Sequence, residues 1–410
     1  MDKLLSKLPL LLDGATGTNL FKAGMPHDGC PEQWIIDNPQ HIIALQKSYV
    51  KSGSDCILAP TFTANRAKLT HYGLQDNVKE INTKLIKFTK QAAESNCFIG
   101  GDMSPTGLFS VPYGEIPFEE LIDIYKEQAK AIYDTGVDFI FLETMISLSE
   151  ARAAVIAVKE FCGLPVFVSM TVDEDGRTLS GNSALACLIA LQAMGVSAFG
   201  LNCSTGPDEM LNNLIKIAPY AKIPLIAKPN AGMPDISDET KILSPQIFSD
   251  FAVKAVTNGI GIIGGCCGTD PSHIQKMKEA ISEIEFTQPV YQADEEDLII
   301  AGEKDVFFLR ADLDLSPALE CDDDLPEKFI GLENISCDAA LVEFNSFDDV
   351  DIFNLYSYIL KLPLCAACSD NDILNYLARI YNGNLLIDSR SIEDEEAAEE
   401  IVKKYGCVII

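Results

Sequence analysis

Three cysteines stand directly after apolar segments of strand length: Cys203 in the sequence LNCS, and the pair Cys266 and Cys267 in the sequence GGCCG. Adjacent cysteines do not easily form a disulfide with each other, because the small ring distorts the peptide between them. Both can ligate one ion if the backbone turns sharply, and the flanking glycines allow such a turn. Three thiolates without a fourth protein ligand are typical of a zinc site with one open position. The alternative interpretations are three buried core cysteines or a redox pair.

A zinc ion held by three thiolates would carry a net charge of about −1, which makes it a weak Lewis acid for generating hydroxide. It is better suited to binding a fourth thiol and keeping it ionised near neutral pH, where a free thiol with a pKa of ~8.5 is mostly protonated. A sulfur held in this way stays nucleophilic. The cysteine pattern therefore predicts alkyl transfer to a small thiol rather than hydrolysis.

Polar groups or thiols follow each of eight short apolar segments. The segments are residues 9–12, 56–59, 98–101, 139–142, 166–170, 198–201, 224–227 and 260–263. They lack polar alternation, which is typical of strands buried on both faces. The residues that follow them are Asp13, Thr61, Asp102, Glu143, Thr171, Asn202, Lys228 and Cys266.

Amphipathic stretches with helical periodicity separate these segments, for example residues 42–52 and 118–135. Gly136, Gly195 and Gly259 come just before three of the strands, where a helix commonly ends in the left-handed conformation. About eight β-then-α units predict an α/β fold of the (β/α)8 TIM barrel type. A doubly wound sheet is the alternative, but it usually has fewer strands. In a barrel, the residues at the carboxyl ends of the strands converge on one mouth.

The chain is strongly acidic, with 61 Asp and Glu against 31 Lys and Arg and a formal net charge of −30. This charge argues against binding to nucleic acid or to anionic membrane surfaces. The sequence contains neither a typical signal-peptide segment nor an apolar run of the ~18 residues that a membrane span needs. We therefore expect a cytoplasmic protein whose 13 cysteines are reduced core residues or metal ligands.

The acidic residues are concentrated at the C-terminal end. Residues 291–410 contain 28 Asp and Glu against 8 Lys and Arg. This shift predicts a barrel domain over residues 1–290 and an acidic second α/β domain over residues 291–410. Residues 294–297 are interpreted as a solvated linker. Further strands are predicted within residues 339–345, 362–367 and 385–389.

Several motifs together resemble the homocysteine S-methyltransferase family, most closely the homocysteine-binding N-terminal module of cobalamin-dependent methionine synthase. They are LDGATGT at 12–18, TFTANR at 61–66, ETM at 143–145, and the two cysteine-containing stretches. The resemblance covers about 70% of the chain, from residue 5 to residue 290. It implies that Cys203, Cys266 and Cys267 are catalytic residues that hold Zn²⁺.

The same resemblance implies a homocysteine site formed by Asp13, Gly14, Ala15 and Glu143. Asp13 and Glu143 would hold the substrate ammonium, and backbone N–H groups around Gly14 and Ala15 would suit its carboxylate. Asn202, at the same strand end as Cys203, is assigned to the substrate site as well.

The resemblance implies a zinc-dependent enzyme that methylates homocysteine to methionine. The expected methyl donor is a methylcorrinoid such as methylcobalamin, carried on a corrinoid protein or a cobalamin-binding domain, since no Asp-x-His-x-x-Gly motif occurs here. Two alternatives remain: methylation of another small thiol or selenol, and a non-catalytic scaffold that docks a corrinoid protein. The motifs do not identify the donor.

Residues 291–410 resemble part of the pterin-binding barrel of methionine synthases. They depart from that pattern, because Cys365-Ala366-Ala367-Cys368 replaces an expected acidic residue. The sequence therefore leaves folate binding open. Cys365 and Cys368 are interpreted as buried thiols rather than a second metal site.

Overall fold

The computed structural model describes residues 2–93, 97–232, 242–292, 297–310 and 312–410. Residues 294–296 of the predicted linker lie outside the described residues. Eight parallel strands form the larger sheet: β1 (Leu10–Leu11), β2 (Cys56–Ala59), β3 (Phe98–Met103), β4 (Phe139–Met145), β5 (Val166–Met170), β6 (Ala198–Asn202), β7 (Leu225–Lys228) and β8 (Ile262–Ile263).

Helices precede, separate and follow these strands, and Leu4 of the first helix packs with the side chains of the barrel interior. The helices are α1 (Asp2–Leu5), α2 (Gly17–Lys22), α3 (Pro31–Asp37), α4 (Pro39–Lys51), α5 (Arg66–Thr70), α6 (Val78–Ala92), α7 (Phe118–Thr135), α8 (Leu148–Lys159), α9 (Ala184–Ala193), α10 (Pro207–Ile217), α11 (Pro245–Thr257) and α12 (Pro271–Ile281). Gly136, Gly195 and Gly259 all have a positive φ, between 75° and 82°, as predicted for residues that end helices.

The strands pair in the order β1-β8-β7-β6-β5-β4-β3-β2. In the described residues, β1 and β2 stand at the two ends of this order and form no ladder with each other. Side chains bridge this seam. The backbone N–H of Leu11 donates to Asp55 Oδ2 at 2.9 Å, and that of Leu58 donates to Asp13 Oδ2 at 2.9 Å. A backbone bond from Asp55 N to Leu11 O, 2.7 Å long, joins them. The result is a nearly closed TIM barrel, which confirms the predicted fold class.

Large side chains fill the barrel interior. The rings of Phe139 and Phe167 have centroids 4.7 Å apart, and Phe141 meets Phe167 edge-on at 6.3 Å. A Cβ atom at Gly100 would lie 2.5 Å from the Phe139 ring, so the neighbouring strand requires glycine there. This packed interior leaves the carboxyl-end mouth as the place for chemistry.

A second α/β unit follows the barrel. Its hairpin consists of β9 (Asp297–Ala301) and β10 (Val306–Arg310), which pair antiparallel. Five parallel strands form its sheet in sequential order: β11 (Leu319–Glu320), β12 (Ala340–Glu343), β13 (Leu364–Ala367), β14 (Leu386–Ile387) and β15 (Val408–Ile409). Its helices are α13 (Leu325–Gly331), α14 (Phe347–Tyr356), α15 (Asn371–Ile380) and α16 (Glu395–Tyr405).

The three strands predicted in this region coincide with β12, β13 and β14, whereas the hairpin was not predicted. Polar contacts join the unit to the barrel. Fully buried Arg152 on α8 donates to the carbonyl of Ala378 at 2.8 Å, and Arg379 on α15 pairs with Glu119 and Glu160. The domain boundary near residue 290 stays a prediction. Among the described residues, no helix combines the length and apolar character needed to cross a membrane.

Candidate metal and substrate site

The structure brings the three predicted cysteines together at the mouth of the barrel. The Sγ atoms of Cys203, Cys266 and Cys267 all lie within 4.8 Å of one another. Tetrahedral Zn–S bonds of ~2.3 Å place sulfur ligands about 3.8 Å apart, so the three thiols need only small movements to share an ion. Within the described ranges, this is the one group of three His, Cys, Asp or Glu residues close enough to hold a metal.

A strained turn presents Cys203. Cys203 and Ser204 have φ angles of 60° and 47°, which non-glycine residues adopt only when their surroundings hold them. Here Cys203 N donates to Lys228 O at 3.1 Å, and Ser204 Oγ donates to the carbonyl of Val172 at 2.5 Å. The turn is therefore fixed from two neighbouring strand ends.

Glycines permit the second cysteine-bearing turn. A Cβ atom at Gly265 would lie 2.4 Å from Thr269 Oγ1, and one at Gly268, where φ is 82°, would lie 2.5 Å from a backbone carbonyl oxygen. Larger residues would displace this turn, which explains why glycines flank the cysteine pair.

Hydrogen bonds among the three thiols shift their pKa values in opposite directions. Hydrogen bonds from Cys266 and Cys267 hold the pKa of the Cys203 thiol well below its ordinary value. Hydrogen bonding to Cys203 in turn raises the pKa of Cys267 to about 11 and that of Cys266 well above its usual range. Protein groups alone therefore favour one thiolate, and a divalent cation would be needed to ionise all three.

Asn230, two residues beyond β7, lies against the cysteine cluster. Its side chain hydrogen-bonds to the Cys203 thiol, while its buried Oδ1 atom has no hydrogen-bond partner among the described residues. Three convergent sulfurs and an unsatisfied amide oxygen form a donor set that suits zinc.

The side chain of Asn202 hydrogen-bonds to residues of two neighbouring strands and contacts one of the cysteines. Its Oδ1 accepts hydrogen bonds from Thr144 N at 2.9 Å and Ser169 Oγ at 2.7 Å. Its Nδ2 donates to Thr144 Oγ1 at 2.7 Å and contacts Cys266 Sγ at 3.8 Å. Thr144 has a φ of 62°, so Asn202 holds a second strained residue as well as a cysteine. Asn202 is predicted from the sequence to bind the substrate. In the structure, both its Oδ1 and its Nδ2 atoms hydrogen-bond to protein groups.

Glu143 and Lys228 form an ion pair across the mouth. Lys228 Nζ lies 2.5 Å from Glu143 Oε1, and both side chains are buried. Burial alone would lower the pKa of Lys228, but the charges of Glu143 and then Asp13 outweigh it and raise that pKa. Sequence reasoning placed Lys228 at a strand end without a role. The KPN stretch that contains Lys228 and Asn230 was the available signal.

Two further carboxyl groups lie near this pair. Asp13 is only 1% exposed, and burial raises its pKa to about 7, an effect that Lys228 partly opposes. Asp102 is also buried, and its Oδ1 has no partner among the described residues. Burial, followed by the charge of Glu143, raises the pKa of Asp102 well above its ordinary value. One lysine therefore faces three carboxyl groups.

The remaining predicted substrate residues border the same mouth. Ala15 N donates to Thr269 Oγ1 at 3.0 Å, and the carbonyl of Ala15 accepts from Tyr49 Oη at 2.7 Å. A Cβ atom at Gly14 would lie 2.8 Å from both the Thr269 and Tyr49 oxygens. The turn after β1 is thus packed tightly, and the Ala15 N–H predicted to face a carboxylate is bonded to Thr269.

Cys365 and Cys368 lie in the second unit, away from this site. Both are buried, and burial raises the pKa of each, to about 12 and about 11 respectively. No metal-binding group includes them within the described residues. Their surroundings agree with the interpretation as buried thiols.

In a comparison with known protein families, residues 10–281 match the family described as homocysteine S-methyltransferase. Methionine synthase of Mycobacterium tuberculosis is 30% identical over 301 residues, which cover 68% of this chain and 25% of that protein. Methionine synthase of Mycobacterium leprae is 29% identical over 290 residues, covering 66% and 24%. The chain thus spans about a quarter of the length of the curated relatives it matches.

Solved structures of the homocysteine methyltransferase MmuM from Escherichia coli share the fold. The apo form has a TM-score of 0.54 and the metallated form 0.56, each at 23% identity. Each match covers 68% of this chain and 98% of MmuM.

Proposed function

This chain belongs to the homocysteine S-methyltransferase family, and we propose that it is a zinc-dependent enzyme that methylates the thiol of homocysteine to give methionine. The observation that carries this proposal is the convergence of three cysteine sulfurs within 4.8 Å at the barrel mouth. The names of its relatives, methionine synthase and homocysteine methyltransferase, support the choice of substrate.

Cys203, Cys266 and Cys267 would hold the zinc ion. When bound, zinc would supply a coordination position for the substrate thiol and keep that sulfur ionised at neutral pH. The turn of Cys203 is held in place before substrate arrives, because Cys203 N donates to Lys228 O at the end of β7 and Ser204 Oγ donates to Val172 O just after β5. Asn202 and Asn230 orient the sulfurs by hydrogen bonding, a role that commonly tunes ligand charge in metal sites.

The carboxyl groups at the mouth would bind the substrate amine. Lys228 pairs with Glu143, and the pKa values of the buried Asp13 and Asp102 stay raised because burial outweighs the charge of Lys228. A substrate ammonium would bring a second positive charge into this buried cluster, where charge-assisted hydrogen bonds are strong. Glu143 and Asp13 are our proposed ammonium contacts, and the Gly14-Ala15 turn is the proposed neighbour of the substrate carboxylate.

We further propose that the methyl donor is a methylcorrinoid, such as methylcobalamin, held by another domain or chain. The likeness to methionine synthases supports this choice. Residues 1–290 would form the homocysteine-binding domain and residues 291–410 a second, partial pterin-binding-like domain. A reducing compartment such as the cytoplasm would keep the cysteines available for metal.

One experiment separates this proposal from its alternatives. Purified protein is analysed for zinc and titrated with homocysteine, and methionine formation is then assayed in parallel with methylcobalamin, betaine, S-methylmethionine and S-adenosylmethionine. The proposal predicts zinc, homocysteine binding and activity with methylcobalamin. A scaffold would show neither zinc nor thiol binding, and an enzyme for another thiol or selenol would bind zinc without methylating homocysteine.

A further inference from the structure

We propose that the second unit helps to position the zinc site. The turn of its β9–β10 hairpin (residues 302–305) holds the β5–α9 loop (residues 171–183) in place, and this loop supports the turn that contains Cys203. This inference rests on the proposed function for its zinc readout. It assigns a positioning role to residues that make no contact with the cysteines themselves.

Three successive residues of the hairpin turn contact the loop. The backbone N–H of Ser183 donates to the carbonyl of Lys304 at 2.8 Å. Asn182 Nδ2 donates to the carbonyl of Glu303 at 2.7 Å, and Arg177 pairs with Asp305 at 2.8 Å. Contacts of three kinds therefore fix the loop to one short segment of the second unit.

Asn182 is the centre of this contact. It is 5% exposed, and its Oδ1 accepts hydrogen bonds from Thr178 Oγ1 at 3.2 Å and Leu148 N at 3.3 Å. Leu148 begins α8, directly after the strand that carries Glu143. One buried amide thus ties together the loop, the start of α8 and the hairpin turn.

The loop in turn supports the cysteine turn. The carbonyl of Val172, at the start of the loop, accepts the 2.5 Å hydrogen bond from Ser204 Oγ. Ser204 and Cys203 both have positive φ angles, so they depend on such outside contacts to keep their conformation. The loop also forms one wall of a cavity of about 570 Å³ beside Ser204, through residues 173–175.

The hairpin turn is fixed to the rest of its own unit. Asn384 accepts from Ala301 N at 2.9 Å and donates its backbone N–H to Ala301 O at 2.7 Å. Asn382 donates to Glu303 Oε2 at 3.0 Å. A Cβ atom at Gly383 would lie 2.2 Å from Ala301 O, so the two segments are in close backbone contact. These contacts hold the hairpin turn in the position from which it contacts the loop.

The test uses charge reversal at the exposed ion pair, which leaves the core intact. Variants Arg177→Asp and Asp305→Arg, and the double variant that restores the pair, are compared for zinc loss to a chelator and for amide hydrogen exchange of residues 171–183 and 203–205. Each single variant should speed zinc loss about two- to fivefold and raise exchange in both segments. The double variant should return to within about twofold of the parent.

Asn182→Asp tests the buried contact, since a carboxylate oxygen would face the Glu303 carbonyl in place of an N–H. We expect about tenfold faster zinc loss. Two controls should match the parent: Lys361→Glu, which breaks the exposed pair with Glu333 inside the second unit, and Arg379→Ala, which removes contacts between the units away from the loop.

Unchanged exchange at residues 203–205 in both folded Arg177→Asp and folded Asn182→Asp would overturn the inference. An equal effect of Arg379→Ala would also overturn it, because general docking rather than the hairpin turn would then be responsible. If the parent binds no zinc, the proposed function fails, whereas the exchange measurement still decides the coupling between turn and cysteine loop.

Discussion

Lys228 Nζ lies 2.5 Å from Glu143 Oε1, joining β7 to β4 across the mouth of the barrel. This ion pair contains the only positive side chain that balances Asp13, Asp102 and Glu143 in the described part of the mouth. A site with more buried carboxyl groups than cations favours a ligand that brings a positive charge. An amino acid with a free ammonium group meets that requirement, and a neutral thiol does not.

Glu143→Gln should weaken homocysteine binding about ten- to a hundredfold while zinc content stays near that of the parent, because the variant loses a charge-assisted contact but no metal ligand. Calorimetric titration and metal analysis measure the two effects. Glu333→Gln, which removes one carboxylate from an exposed pair in the second unit, is the matched control. Parent-like affinity in Glu143→Gln would reassign Glu143 to maintenance of the fold.

Lys228→Met should lower the free energy of unfolding by about 3–5 kcal/mol, since it leaves Glu143 buried without its cation. The double variant Glu143→Gln with Lys228→Met should recover much of that loss, because both charges are then removed. Urea denaturation of the four proteins completes the cycle. A double variant no more stable than Lys228→Met alone would show that the two side chains do not act as a pair.

The stability of the protein should depend on pH through Asp13. Burial raises the pKa of Asp13 in the folded protein from 3.8 to about 7, so between these values the folded state binds the extra proton. The contribution of Asp13 to the unfolding free energy therefore falls as pH rises from about 4 to about 7 and is constant above.

Asp13→Asn removes this dependence. The unfolding free energy of the parent minus that of Asp13→Asn should decline across this window and then level off. Denaturant titrations at several pH values measure the difference. A difference that is independent of pH would mean that folding does not raise the pKa of the Asp13 carboxyl group.

Zinc content should depend on each of the three cysteines. The parent should bind about one zinc ion, and Cys203→Ala, Cys266→Ala and Cys267→Ala should each lose most of it, because two remaining thiolates bind the ion far more weakly. Metal analysis after dialysis measures the occupancy. Cys365→Ala, which removes a buried thiol of the second unit, should keep the parent value. Full occupancy in any of the three variants would exclude that residue as a ligand.

The strands and their mouth could be predicted from sequence because buried parallel strands are continuous apolar segments, and chemistry-bearing residues follow them directly. Cys203 and Cys266 stand at such ends, so their convergence followed from the barrel itself. The pairing of Lys228 with Glu143 could not be predicted. It depends on which side chains cross the mouth between strands that are far apart in the sequence.

The positive φ angles near the site could not be predicted from the sequence either. Nothing in the residue types at Thr144 or Ser204 signals a positive φ. Both residues are held by hydrogen bonds that they donate to distant parts of the chain, Thr144 to Asn202 on β6 and Ser204 to Val172 after β5. The hairpin after residue 296 was missed because its first strand begins within the acidic run at residues 294–297, which was interpreted as a solvated linker. Its contact with Asn182 depends on how the second unit packs on the barrel.

Metal activation of the substrate thiol is tested most directly by counting the protons that binding releases. Free homocysteine thiol has a pKa of ~8.5, so its capture as a thiolate at pH 7 must release close to one proton per site. Calorimetry of homocysteine binding to the zinc-loaded protein, in two buffers of different ionisation enthalpy, gives this number. The same titration with homoserine, in which a hydroxyl replaces the thiol, counts protons released by the rest of the site. Metal activation of the thiol predicts a difference close to one proton between the two ligands, and a difference near zero would contradict it.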